Sequence, residues 1–128
     1  MSKSLDNFCN LIKKKFPEIS EKADREYARQ WDDIQDSEFY SYSWFEALSN
    51  ALNREMCRAI PALEYCDLFS TISSHFETGD DDIKKCVDVA FVENLFWEVP
   101  KLKSEPYWKV MPENLKQLYL AFHRRPPF

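Results

Sequence analysis

Three consecutive aspartates, Asp80, Asp81 and Asp82, follow the chain's single glycine, Gly79, and open onto an apolar run ending at Trp97. Carboxylates so close together are the material of a divalent-cation loop. An EF-hand, however, needs oxygen ligands at alternating positions, a central glycine and a closing glutamate, whereas Ile83, Lys84 and Lys85 occupy the places that follow. The calcium reading fails. A second use is structural: one aspartate at a helix start accepts a backbone N–H, and its neighbours complement the positive end of the helix dipole. Three in a row exceed what a cap needs, so the surplus is a candidate partner-binding charge.

The other reactive side chains give no catalytic pattern. His75 and His123 titrate near neutrality and are the material of a general acid and base pair. Each falls at the end of a helical stretch, where an imidazole commonly serves only the helix dipole. No phosphate loop, nucleophile elbow or H-E-x-x-H motif accompanies them. Cys9, Cys57, Cys66 and Cys86 form no close pair and fall on apolar stripes, which reads as reduced, buried thiols rather than disulfides or a zinc site. We therefore expect no catalytic residue, no metal and no cofactor.

A second acidic cluster, Asp32, Asp33, Asp36 and Glu38, runs into Phe39-Tyr40-Ser41-Tyr42-Ser43-Trp44-Phe45. Aromatic side chains are more often core than surface. Tyr40 and Tyr42 sit where a loop meets a helix, beside the acidic cluster, and are the ones expected to serve as interface anchors.

These residues must be held by helices. With one glycine in 128 residues there is little from which to build hairpin turns. Apolar residues recur instead at helical spacing. Leu5, Phe8, Cys9, Ile12 and Phe16 mark a first helix, Ser4 to Phe16. Pro17 opens a second through Ile19, Ala23, Tyr27 and Trp31. A loop is expected at 32–38. A third helix runs from Ser41 to Pro61 and a fourth from Ala62 to Glu77, with Gly79 as its left-handed terminator. The helix after the aspartates carries apolar residues on so wide an arc that it should be the most buried. Pro100 and Pro106 bracket an irregular link, and Pro112 starts a last helix to about His123. The expected fold is all-α, a single domain of five or six helices with mostly antiparallel neighbours.

Composition agrees with one folded domain: 45% of residues are hydrophobic and 16% aromatic, far from a disordered chain. Charge is segregated. Residues 17–100 carry 19 acids against seven bases, while both flanks are net basic and the whole chain is −5. An acidic middle repels nucleic acid and suits a basic partner. The beginning of the chain has no apolar signal region, and no stretch is apolar enough to span a bilayer, so a soluble cytoplasmic protein with no membrane contact is expected.

At His75 to Trp97, HFETGDDDIKKCVDVAFVENLFW, and at Tyr107 to Tyr119, YWKVMPENLKQLY, the chain resembles the acidic bacterial immunity proteins of polymorphic-toxin and contact-dependent growth inhibition systems. The residues carrying the likeness are Gly79, Asp80, Asp81, Ile83, Glu93, Asn94 and Leu95. The resemblance implies a stoichiometric inhibitor of a cognate toxin domain, often a nuclease with a basic cleft, and no enzymatic activity. The alternative is a helical adaptor or small-ligand-binding protein whose acidity serves solubility. A hydrolase built on His75 or His123 is a third, minor reading.

Overall fold

A computed structural model describes residues 3–30 and 40–128. Among them there is no strand. Seven α-helices follow one another: α1 Lys3–Lys15, α2 Pro17–Gln30, α3 Ser41–Cys57, α4 Cys66–Thr78, α5 Asp81–Lys85, α6 Lys101–Val110 and α7 Glu113–His123. A 3-10 turn, Ala62–Tyr65, leads into α4, and α5 continues without a break into a π-helical segment, Cys86–Val92. No helix is long and apolar enough to cross a membrane among the described residues.

The first three helices begin where apolar periodicity places them, to within a residue. Pro17 begins α2 directly after α1, because its fixed φ suits a first turn and its missing N–H costs nothing there. The pairs Tyr27–Tyr40 and Lys22–Glu55 join opposite ends of α2 and α3, so these two helices run antiparallel. The core is one cluster built around Trp44, Phe45, Leu48 and Leu52 of α3, Leu68, Phe69 and Ile72 of α4, and Val87, Ala90 and Phe91 of the π segment. Each large side chain withdrawn from water contributes about 1.5–3 kcal/mol. The segment after the aspartates is deeply buried, as its wide apolar arc predicts.

The helix count exceeds the expected five or six, mainly because the stretch between Pro100 and Pro106 is not an irregular link. It is the first part of α6, with Pro106 inside the helix. An interior proline removes the bond its N–H would have made one turn back. Tertiary contacts outweigh that loss: Ser104, Tyr107 and Trp108 are buried, and the Tyr107 hydroxyl donates to the Ile60 carbonyl at 2.7 Å.

Left-handed backbone also falls in unexpected places. Gly79, the expected left-handed terminator, is extended, with φ −76° and ψ 167°. Positive φ occurs instead at Ala59, Phe96, Glu98 and Arg124. At Ala59 the reason is a Schellman ending of α3: the Ile60 N–H donates to Glu55 O at 3.0 Å and the Ala59 N–H to Met56 O at 2.9 Å. α3 therefore ends short of Pro61.

All four cysteines are free, but only Cys9 and Cys86 are core thiols; Cys66 is half-buried and Cys57 exposed, against the expectation of four buried ones. Cys57 is the last residue of α3, beyond the stripe that faces the core. Burial pushes the Cys9 thiol up to about 11 and raises that of Cys86 further.

Candidate functional site

The aspartate triplet divides into one structural residue and two free charges. Asp80 is the N-cap of α5: its Oδ1 accepts the Ile83 N–H at 3.0 Å, and its other oxygen accepts from the Ser4 hydroxyl, which ties α1 to α5. Those two hydrogen bonds, the Ser4 one first, hold its carboxyl below the usual range. Asp81 and Asp82 are exposed in the first turn. Asp32, Asp33, Asp36 and Glu38 lie outside the described residues. Tyr40 is half-buried at the N-cap of α3, its backbone N–H donating to the Tyr27 hydroxyl at 3.0 Å. Its backbone therefore helps pin the start of α3 to α2.

Tyr42 has a different setting. It lies one turn from Glu46 on α3, next to the π segment and its end, where Asp88 and Glu93 stand. Burial, followed by the charges of Cys86, Glu46, Glu93 and Asp88, raises the Tyr42 phenol above its ordinary value. Desolvation likewise raises Glu46 and Asp88. It leads for Glu93 as well, where Asp88 adds to it and His123 opposes it. Three half-buried carboxylates thus share one neighbourhood around a tyrosine, none in an ion pair with a lysine or arginine among the described residues.

The π segment is what aligns them. In an α-helix, residues five apart are rotated by about 140° and face different ways. A π turn closes at the fifth residue, and here the Glu93 N–H donates to the Asp88 carbonyl at 3.1 Å. Asp88 and Glu93 therefore come onto one face. No 3.6-residue reading of the sequence finds that pair. Asp81 and Asp82 open the same continuous helical segment and extend its acidic character toward α5.

A buried polar stripe on α3 holds this geometry. Ser49 and Asn53, one turn apart, face the core. The Ser49 hydroxyl donates to the Phe91 carbonyl. Asn53 donates to Asn94 O at 2.9 Å and accepts the Phe96 N–H at 2.7 Å. Asn94 in turn donates to Ala90 O at 2.8 Å, so its side chain caps the widened helix. Sequence reading missed Ser49 and Asn53; two polar residues on the core side of an apolar helix, four apart, were the available signal. The clamped turn carries Phe96 inward, at φ 69°, and presents Trp97 outward.

The histidines are separately engaged. His75 stacks on Phe8 at 4.7 Å, with Nδ1 2.9 Å from Thr71 O. His123 stacks on Tyr119 at 4.1 Å, with Nε2 3.1 Å from Glu93 O. One serves the α1–α4 contact, the other fixes α7 against the end of the π segment.

No curated protein and no solved structure matches the chain. A family model described as a domain of unknown function, DUF7674, matches residues 9–125. That span runs from the middle of α1 through α7 and takes in the polar stripe and the carboxylates around Tyr42, and the chain accordingly belongs to the DUF7674 family.

Proposed function

We propose that this protein is a non-catalytic immunity protein that binds a cognate toxin domain, of nuclease type, and covers its active site or substrate surface. The observation that carries the reading is the set of carboxylates Glu46, Asp88 and Glu93 around Tyr42, none of them in an ion pair with a lysine or arginine among the described residues. Like charges held together and partly desolvated lower stability at neutral pH, and a basic partner would relieve that cost. Complementary charge also speeds capture and competes with a polyanionic substrate. The resemblance at Gly79 to Leu95 points the same way. Tyr42 is the aromatic anchor of this face, with Asp81 and Asp82 at its edge; Asp32, Asp33, Asp36, Glu38 and Tyr40 belong to the proposed surface on sequence grounds. Asp80 is assigned to the cap.

The deciding experiment is co-expression with the variable C-terminal domain of a large secreted or surface protein sought in the adjacent reading frame. Growth rescue and a co-purifying complex are expected. If the pair gives neither, the immunity reading is wrong and the adaptor or small-ligand reading takes its place. Within the complex, Asp81→Asn with Asp82→Asn should slow association at low salt and matter little at high salt.

The raised carboxylates give a separate expectation in the free protein. Their folded pKa values lie above the unfolded ones, so the stability they contribute is complete below about pH 4 and is lost as pH rises through the folded values. Glu46→Gln and Asp88→Asn should therefore each raise Tm at pH 7 by about 2 °C. The gain should vanish in scans at pH 3.5; a lower Tm at pH 7 would mean that the ionised forms are stabilised in the fold.

A further inference from the structure

Five of the seven basic residues between positions 17 and 100 converge on one groove between α2 and α3: Lys22, Arg25, Arg29, Arg54 and Arg58. The groove is about 180 Å³ and has two glutamates in its floor, Glu26 and Glu55, 8% and 2% exposed. Glu26 is paired with Arg54 and, at 3.5 Å, with Arg29. Glu55 takes Lys22 at 2.9 Å, Arg58 at 3.2 Å and the Tyr65 hydroxyl at 2.8 Å. Two cations would neutralise two carboxylates. Five are present, and Arg25 has no acidic partner among the described residues. Among the described residues that line the groove, positive charges therefore exceed negative ones by three, in the most acidic part of the chain.

The guanidiniums are also underused. Arg29, Arg54 and Arg58 meet their glutamates through one nitrogen each, and their side chains remain 61–63% exposed. A guanidinium carries five N–H donors in a fork that matches the oxygens of a phosphoryl group. Anchored at one nitrogen by a buried carboxylate, each is oriented in advance and keeps donors for an oxyanion.

Glu26 and Arg54 are shared with a second cavity of about 340 Å³, so the two adjoin. That second cavity is lined by Trp97, Asn50 and Glu98. Trp97 is 69% exposed, and its neighbours Phe96 and Glu98 are held at φ 69° and 56°. Phe96 is buried and its N–H is fixed by Asn53, so the indole is presented by a constrained turn rather than by a loose end. An aromatic face beside a cationic groove fits a ligand with an aromatic base at one end and phosphoryl groups at the other. Asn50 and Glu98 offer hydrogen-bonding groups for what joins them.

We propose that these adjoining cavities form a nucleotide site: the base stacks on Trp97 and two or three phosphoryl groups take up the charge excess of Arg25, Arg29, Arg54 and Arg58. The overall charge of −5 sets the site against a long polyanion and in favour of a single nucleotide. The site uses none of the carboxylates of the Tyr42 face, so it stands or falls apart from the immunity reading.

The test is titration of the purified protein with ATP, pyrophosphate and adenosine at low ionic strength, followed by calorimetry and tryptophan fluorescence. ATP is expected to bind at least about tenfold more tightly than pyrophosphate, because stacking adds to the charge contacts, and to quench the fluorescence. Arg25→Glu should weaken ATP by about tenfold, with a Tm changed by little, because Arg25 is exposed and makes no ion pair among the described residues. Trp97→Ala should reduce ATP to the affinity of pyrophosphate and abolish the quench. The proposal is overturned if ATP shows no heat of binding at millimolar concentration, if it binds no more tightly than pyrophosphate, or if both variants bind as the parent does.

Discussion

Asn53→Ala is expected to lower stability by about 3 kcal/mol and Tm by about 10 °C. One side chain closes two bonds at once, donating to Asn94 O and accepting the Phe96 N–H, and it does so with 6% of its surface exposed. Removing it leaves a buried N–H and a half-buried residue's carbonyl without these partners, each costing about 1–3 kcal/mol. It also releases the restraint on a phenylalanine at positive φ, a conformation that persists only where the surroundings impose it. Hydrogen exchange supplies the local readout. Protection of the Phe96 amide should fall far more than that of amides in α1 or α2. An unchanged Tm with full protection at Phe96 would show that the turn holds itself and that Asn53 is incidental. Because the turn presents Trp97, the variant should also loosen any ligand held there before the protein unfolds.

Gly79→Ala should cost about 3 kcal/mol for a reason the sequence does not suggest. The backbone at Gly79 is extended, a conformation alanine adopts freely, so no penalty comes from φ. A Cβ there would lie 2.4 Å from the His75 carbonyl oxygen and 2.7 Å from Cγ2 of Ile83. The His75 carbonyl is the last acceptor of α4, taking the Gly79 N–H at 2.8 Å, and cannot move without opening the helix end. Overpacking of this kind costs about 1–3 kcal/mol, and a backbone obstacle puts it at the upper end. Gly79→Asn separates the two explanations. Asparagine tolerates left-handed backbone, so it would rescue a position that required positive φ; against a steric obstacle it should unfold the protein at least as readily as alanine. A stabilised Gly79→Ala would instead mean that only unfolded-chain entropy had changed.

Both cases show where a linear reading stops. The periodicity of Leu5, Phe8, Cys9 and Ile12, and the run Trp44, Ala47, Leu48, Ala51 and Leu52, make α1 and α3 legible, because a helix repeats its buried face every three or four residues and burial selects apolar side chains. The same logic hides α6: Pro106 argues against a helix locally, and only the buried Tyr107 and Trp108 outweigh it. It also assigned Gly79 a common role instead of the steric one it has. Of the candidate residues, Asp80 was legible as a cap, since a cap is a local interaction within four residues. Tyr42 was singled out for its place at a loop junction, but its companions were not. Asp88 and Glu93 are five apart, and only a π turn brings five-apart residues together.

The sequence by itself determined that this chain is helical: one glycine, many aromatics and 3.6-residue apolar spacing leave little else for the backbone to do. It also determined that charge is segregated, with an acidic middle between basic flanks. Only the tertiary structure decided where charge is concentrated. Packing α2 on α3 gathers Lys22, Arg25, Arg29, Arg54 and Arg58 into a basic groove inside the acidic segment, and seating the π segment against Ser49 and Asn53 gathers Glu46, Asp88 and Glu93 around Tyr42. The physical reason is range. Helix formation and capping act within a few residues along the chain, whereas the electrostatic neighbourhood of a side chain is set by whichever helices its own helix packs against.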